Sequence, residues 1–292
     1  MTNAANAVEI ASEAITVFAP AKLNLFLHVN GRRADGYHDL ESLFVFLDIG
    51  DRLQFETPDS AATDGSAGDL VLDPDPGIPR EQNLIWRALE RVRAVEPRLP
   101  QPRIWVEKVL PMQAGLGGGS ADAAAVVHWA EGLFPSLDFR AAVAGLGADL
   151  PPAMDQQARI WRGTGDVAGD PVADLAGTPV LLLKPEGGVS TAACFQQLSL
   201  GRVAAASDFN GPPRAWLPST RNDLEAPARG LNSDIGTALD ALSGAGDPWL
   251  VRMTGSGSTC FALYHEKGPR DAAHEAVQRR FRGWWTAAAE IL

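Results

Sequence analysis

The sequence predicts a chain of mixed helices and strands folded around two hydrophobic cores, and three observations carry that expectation. A length of 292 residues with 46% hydrophobic content suits two moderate cores better than one large one. Short strand-like runs and helical stretches follow one another through both halves. The region from Gly163 to Pro179, rich in Gly, Pro and Asp, reads as the junction between them. That reading divides the chain into residues 15–170 and 171–292, behind a disordered extension of residues 1–14.

The first half opens on two strand-like runs, Ile15-Thr16-Val17-Phe18 and Leu23 to Val29, the second with apolar residues at alternate positions. Between them Ala19-Pro20-Ala21-Lys22 sets a lysine at the mouth of a strand pair, where a solvated surface charge is the ordinary reading. The polar stretch Asn30 to His38 contains the turn pair Asp35-Gly36, and Leu43 to Leu47 and Arg52 to Phe55 then resume strand character. Tyr37-His38 beside that turn is open to two readings: cross-strand packing, or a stacking face with hydrogen-bond partners for a planar ring. Thr57 to Asp69 reads as a surface loop. Asn83, ahead of Leu84, Ile85, Ala88, Leu89 and Val92, reads as the N-cap of an amphipathic helix, and the Asn83-Leu84 turn as a second option lines a base pocket.

The strand pattern Ile104 to Val109 runs into Pro111-Met112-Gln113-Ala114-Gly115-Leu116-Gly117-Gly118-Gly119-Ser120-Ala121-Asp122. Each glycine costs roughly 1 kcal/mol of helix propensity relative to Ala, so the glycines are there for backbone access. Ser120 stands at a natural N-cap position and Asp122 in the first turn of the helix that follows. A helix N-terminus behind bare backbone presents several N–H groups to one point, which suits phosphate. A linker would be richer in Ser and would not join a strand pattern to a capped helix. Neither the Walker spacing nor the dinucleotide spacing G-x-G-x-x-G is present, since no Gly-Lys-Ser/Thr follows and Ser120 stands where the last glycine would be.

Beyond that helix, Phe139 to Leu146 reads as another, stopped at Gly147-Ala148-Asp149-Leu150-Pro151, where turn chemistry is the plain explanation of Asp149. Ala158 to Arg162 is a strand. The second half offers a strand at Val180 to Leu183, a helix at Thr191 to Leu198 and a loop from Ala205 to Asn222. Helices at Asn232 to Ser243 and Arg270 to Arg280 flank strands at Trp249 to Met253 and Thr259 to Tyr264, which are joined by the small-residue turn Thr254-Gly255-Ser256-Gly257-Ser258. No internal repeat is present.

A formal net charge of -11 argues against a nucleic-acid or anionic-membrane binder, and any phosphate ester must be held by a few local cations. No apolar run approaches the roughly 20 residues that span a bilayer. Met1 to Ala14 carries Glu9 and Glu13 and no Lys or Arg, unlike a secretory signal. The two cysteines, Cys194 and Cys260, lie far apart and read as small core residues in a reducing compartment, so a cytoplasmic protein is expected.

Ala19-Pro20-Ala21-Lys22-Leu23-Asn24-Leu25, Pro111 to Ala124 and Met253 to Ser258 resemble the three ordered motifs of the GHMP kinases, named for galactokinase, homoserine kinase, mevalonate kinase and phosphomevalonate kinase. Arg33-Ala34-Asp35-Gly36-Tyr37-His38-Asp39-Leu40 resembles a segment of the branch that phosphorylates the 2-hydroxyl of a cytidine diphosphate ester of methylerythritol, on the non-mevalonate route to isoprenoid precursors. The likeness runs from about Ile15 to Tyr264. It implies an α+β, two-domain GHMP kinase fold: a mixed-sheet N-terminal domain and a ferredoxin-like C-terminal domain, with the active site in the cleft between them.

By that resemblance Asp149 is the general base for the hydroxyl proton and Lys22 its partner, since an ammonium beside a carboxylate favours the charged form. Asn83 and Leu84 match the adenine pocket, and Pro111 to Ala121 the phosphate cradle for ATP. Tyr37 and Phe195 would face the two sides of the cytosine, with His38 reading its edge. Asn24, Phe44, Lys108 and Thr191 match positions around the methylerythritol and phosphates, with Lys108 as the local cation, and Gly255 and Ser256 approach the acceptor. Mg²⁺ is expected with ATP; no carboxylate cage is dedicated to it, and Ser120 offers one ligand at most. The partners implied are ATP and the small-molecule ester, with no nucleic acid and no membrane. Gln113-Ala114 replaces further glycines, and Pro151-Pro152-Ala153 replaces a common Pro-Phe. A kinase for homoserine or mevalonate would have little use for the aromatics at Tyr37, His38 and Phe195. A decarboxylase of the same fold would need an arginine near the acceptor, and a non-catalytic nucleotide sensor would lose the Lys22/Asp149 pair.

Overall fold

The computed structural model describes residues 14–57, 70–73, 77–198 and 209–292. The expected N-terminal extension up to residue 13, most of the 57–69 loop and the beginning of the 205–222 loop lie outside the described residues. In chain order the elements are β1 (Ile15–Arg32), β2 (His38–Glu56), β3 (Leu70–Asp73), α1 (Leu84–Val95), β4 (Arg103–Glu107), α2 (Gly118–Leu133), α3 (Leu150–Asp155), β5 (Arg159–Gly163) and β6 (Val167–Pro171). They continue as β7 (Pro179–Lys184), α4 (Thr191–Gln197), α5 (Pro213–Trp216), α6 (Glu225–Leu231), α7 (Asp234–Ser243), β8 (Leu250–Met253), β9 (Cys260–Leu263), α8 (Lys267–Arg280) and β10 (Trp285–Glu290).

The first half is a mixed sheet in the order β3-β4-β2-β5-β6, with β1 paired along β2 and only β3 and β4 parallel. The four short strands expected at its start are two long ones. Register shifts between Pro20 and Lys22, Asn24 and Phe26, and Val29 and Gly31 let β1 continue through a proline and a lysine that would otherwise end it. Residues from Ala19 to Val29 are buried without alternation because both faces of this strand are covered.

The second half is an antiparallel sheet in the order β10-β7-β9-β8, threaded β-α-β-β-α-β, which is the ferredoxin-like arrangement. Alternation along β7 explains how it is used. Leu181 and Leu183 pack with α6, α7 and α8, whereas Val180 and Leu182 join a core shared with Leu23, Leu25, Val45 and Leu47 of the larger sheet. The far face of the larger sheet packs on α1, α2 and α3 through Leu53, Phe55, Ile104 and Val106. The result is four layers: helices, sheet, sheet, helices.

Several local expectations gave way. Phe139 to Leu146 is not a helix but a run of turns, with Ala142 N donating to Phe139 O, Ala144 N to Ala141 O and Leu146 N to Val143 O. A segment this short, ending at Gly145 with φ +77°, is too short to propagate, and buried Phe139 and Val143 hold it instead. The strands β3, β6 and β10 and the helix α6 had no clear periodic signal. β10 contains the run Ala287 to Ala289, which prefers helix, and it is a strand because the free edge of β7 pairs with it.

Backbone bonds join the halves. Leu27 N donates to Arg221 O (3.0 Å) and Asp223 N to Leu27 O (2.8 Å), and the terminal Leu292 N donates to Phe46 O (2.9 Å). Arg252, buried on β8, reaches β1: its guanidinium donates to Leu25 O (2.6 Å), Thr220 Oγ1 (2.8 Å) and Thr220 O (2.7 Å). Replacing Arg252 by Met leaves those carbonyls buried and unpaired, so Arg252→Met is expected to lower the unfolding free energy by about 2–4 kcal/mol in urea titrations. A loss below about 0.5 kcal/mol would show that Arg252 does not tie the two sheets.

Candidate active site

A cavity of about 850 Å³ lies between the halves, lined by the 111–120 loop, the Asn83–Ile85 turn, the inner face of β2, Asp149 and the Gly255–Gly257 turn. That is toward the upper end of the range for small-molecule sites.

The glycine loop crosses one wall. Gly115 and Gly117 have φ of +73° and +68°, and Gly117, not Ser120, is the N-cap of α2. The helix therefore begins three residues earlier than expected, Gly118, Gly119 and Ser120 form its first turn, and their amides have no intrahelical acceptor. The glycines divide into two groups by what a side chain would meet. A Cβ on Gly115 would lie 2.7 Å from Thr254 O, and one on Gly117 would lie 2.6 Å from Lys22 Cγ, so the protein's own packing forbids them. A Cβ on Gly118 would meet nothing closer than 3.5 Å, and on Gly119 nothing closer than 3.6 Å. Neither has a positive φ. Packing does not require these two to be bare, and an anion approaching the helix N-terminus would.

Lys22 is buried on β1. Its Nζ donates to Asn24 Oδ1 at 2.6 Å, stands 3.3 Å from Asp149 Oδ2 and lies over the Phe44 ring at 5.3 Å. Its amide donates to Leu116 O at 2.9 Å, tying β1 to the glycine loop. Asn24 passes the contact on: Nδ2 donates to Ser42 Oγ (2.7 Å), and Ser42 Oγ to Phe26 O (2.5 Å). Asp149 is the N-cap residue of α3, yet its side chain makes no cap hydrogen bond. Turn chemistry does not account for it. With its side chain 36% exposed, it faces the cavity beside Lys22. Pro151 and Pro152 fit the first turn of α3, where an amide has no partner to lose.

Thr191 and Ser256 share a hydrogen bond between their hydroxyls (2.7 Å) at the far end, and Gly255, with φ +57°, approaches Asn24 and Lys22. Asn222 went unnoticed in the sequence. Its Nδ2 donates to Met253 O and Gly255 O, both at 2.8 Å, and so it holds the turn; an asparagine in an irregular loop carries no local signal for that.

Two expected placements differ. Lys108 lines the cavity but its ammonium is committed elsewhere, donating to Asp51 Oδ2 (2.5 Å) and Asp122 Oδ2 (2.7 Å). Burial opposes that charge, but Asp122 and Asp51 outweigh it and hold the Lys108 pKa above the ordinary value. Burial pushes the Asp122 carboxyl up. Asp122 therefore serves Lys108, not the helix dipole. Asp51 Oδ1 also accepts from Val109 N and Leu110 N, so the cluster pins the entry to the loop. Tyr37 is 67% exposed at the hairpin and does not line the cavity. His38, which like Tyr37 is not among the residues lining the cavity, stacks on Phe195, which is, with ring centroids 4.6 Å apart and planes at 19°. Burial, with Arg32 nearby, lowers the His38 pKa, which favours the neutral ring. The slot expected between Tyr37 and Phe195 is not formed, because the hairpin turns Tyr37 outward.

Among the described residues no cluster of three or more His, Cys, Asp or Glu is placed to hold a metal, and no helix is long and apolar enough to cross a membrane.

Comparison with known proteins gives a consistent picture. The family model for the GHMP kinase N-terminal domain matches residues 83–163, and that for the GHMP kinase C-terminal region matches residues 198–283. A 4-diphosphocytidyl-2-C-methyl-D-erythritol kinase of Novosphingobium aromaticivorans is 42% identical over 284 residues, covering 94% of this chain and 91% of the relative. A crystal structure of 4-(cytidine 5'-diphospho)-2C-methyl-D-erythritol kinase superimposes with a TM-score of 0.77 at 30% identity, covering 94% of this chain and 99% of that one. Homoserine kinase from Cytophaga hutchinsonii, at 16% identity, TM-score 0.64 and coverage of 95% and 94%, shares the fold.

The two groups of glycines are separable by experiment. Gly117→Ala is expected to lower Tm by several degrees, since both φ and the Lys22 stem resist it, whereas Gly119→Ala leaves Tm within about two degrees. Equal thermal effects in calorimetry would erase the distinction.

Proposed function

The chain belongs to the GHMP kinase family, and on that premise we propose that it is a small-molecule kinase transferring the γ-phosphoryl group of ATP to the 2-hydroxyl of 4-diphosphocytidyl-2-C-methyl-D-erythritol. The products are the 2-phosphate and ADP, and the reaction belongs to the non-mevalonate route to isoprenoid precursors. One observation carries the reading: Lys22 and Asp149, 3.3 Å apart, stand in the same cavity as the bare amides at the start of α2.

Phosphoryl transfer asks a protein chiefly for positioning and charge stabilisation. The amides of Gly118, Gly119 and Ser120, with the positive end of the α2 dipole behind them, hold the triphosphate, and the Asn83–Leu84 turn receives the adenine. Asn83 caps α1 with its side chain, accepting from Ile85 N at 3.0 Å, so its backbone and Leu84 are what face the base. Asp149 accepts the proton of the attacking hydroxyl. Lys22, steered by Asn24, stabilises charge on the oxygens in flight. Phe195, backed by the stacked His38 ring, forms the aromatic wall for the cytosine, with Thr191, Phe44, Gly255 and Ser256 around the remainder of the ester.

Mg²⁺ bound with ATP would supply positive charge to its phosphates. On the protein side the fit is limited to Ser120, whose Oγ would lie 3.5 Å from a Cβ on Gly147, next to the Asp149 turn. A metal at this site would be held mainly by the nucleotide.

An ADP-release assay with a panel of alcohols tests the substrate: turnover of the cytidylated ester at least 100-fold above homoserine and mevalonate is expected, and preference for either of those would overturn the assignment. In the same assay Asp149→Asn is expected to reduce kcat by about 10²–10⁴ with the KM for ATP changed less than threefold. Retention of most of the turnover would remove Asp149 as the base.

A further inference from the structure

Trp161 is 5% exposed and lines the cavity, yet its indole Nε1 has no hydrogen-bond partner. A buried donor left without an acceptor is costly, and native structures rarely keep one without a reason. Trp86, Trp129 and Trp249 have orphan indole nitrogens too, but the first two rings lie inside the apolar core around α1 and α2, and Trp249 packs against the core between the two sheets, away from the cavity. Trp161 belongs to none of the three hydrophobic clusters. Its ring is buried against the cavity wall.

The sheet register fixes its neighbours. Trp161 on β5 pairs directly with Ser42 on β2, so the two side chains leave the same face of the sheet, together with Leu40 and Phe44 two positions either side. Ser42 ends the polar chain from Lys22 through Asn24, and Phe44 lies beneath the Lys22 ammonium. Past Trp161 the chain turns at Gly165, where a Cβ would lie 3.0 Å from Ala148 O, the residue before Asp149. Trp161 thus stands on the cavity wall that carries Ser42 and Phe44, beside the Lys22–Asp149 pair.

On that wall each of the other side-chain donors already has at least one acceptor within the protein, and only the indole has none. Asn24 Nδ2 donates to Ser42, the Ser42 hydroxyl to Phe26 O and the Thr164 hydroxyl to Asp166 Oδ1. Both lysines that line the cavity are paired with carboxylates. An acceptor rich in hydroxyl and phosphate oxygens needs donors there.

We propose that the Trp161 indole N–H is a specificity-determining donor, hydrogen-bonding an oxygen of the phosphate-bearing acceptor and not the nucleotide. This rests on the kinase reading above and adds a recognition residue to it. An indole suits the role because it donates and cannot accept, so it discriminates against an acceptor with a donor or an apolar group at that point.

The test uses the full-length protein, ¹⁵N-labelled, with the Trp161 indole N–H resonance assigned by its absence in Trp161→Phe. Titration with the cytidylated ester is expected to move that resonance, and titration with a non-hydrolysable ATP analogue is expected to leave it in place. Trp161→Phe is expected to raise the KM for the ester about 10-fold with the KM for ATP within twofold, the effect of one lost hydrogen bond. An indole resonance unmoved by saturating ester overturns the proposal, whether or not the variant folds normally. If the wild-type protein turns the ester over while the resonance stays still, only Trp161 is misassigned. If it does not turn the ester over, the kinase reading for that substrate falls first and Trp161 with it.

Discussion

The stem of Lys22 passes so close to the α-carbon of Gly117 that a methyl group there would sit 2.6 Å from its Cγ. This single close approach couples the glycine loop to the Lys22–Asp149 pair. A buried ammonium has to be paired, and Lys22 finds Asn24 Oδ1 at 2.6 Å and Asp149 at 3.3 Å. Its own amide holds Leu116 O, so β1 positions both the side chain and the loop that passes over it. On the other side of the loop, the carbonyls of Thr254 and Gly257 close on Gly115. Three segments distant in the chain therefore meet with no slack at the point where phosphoryl transfer would take place.

The electrostatics follow from that economy. The formal charge of the chain is -11, and among the described residues only two lysines line the cleft, both already matched to carboxylates. Backbone amides and the α2 dipole, which add no net charge, would therefore carry much of the attraction for a polyanion in this cleft. The Lys108–Asp51–Asp122 cluster has a different task. By accepting from Val109 and Leu110 amides and gripping Asp122 on α2 through Lys108, it fixes the angle at which strand β4 enters the glycine loop.

Much of the site was visible as local pattern, and the misreadings share one cause. The glycine loop, the Asn83 cap and the helices α4, α7 and α8 are recognisable because turn chemistry, caps and periodicity act over a few residues. Lys108 looked like a ligand cation because its two carboxylates, Asp51 and Asp122, are distant in sequence. Tyr37 looked like half of a clamp, and a hairpin geometry set by the β1–β2 register turned it out to solvent and put His38 on Phe195. Ser120 looked like a cap because serine is a good one, yet Gly117 takes the left-handed conformation that begins α2 earlier.

By itself the sequence determined the chemistry available: a bare backbone run ahead of a helix, a lysine after Ala-Pro-Ala, an aspartate in a Gly-Ala-Asp-Leu-Pro turn, and the ordered motifs that mark the kinase family. Only the tertiary structure decided which charges are spent and which are free, because pairing depends on strand register and on the packing of two sheets. Lys22 and Asp149 became a pair, Lys108 was tied to two carboxylates at the cavity edge, and Trp161 was left with an unmatched donor on the cavity wall, each through contacts between residues that no local pattern relates.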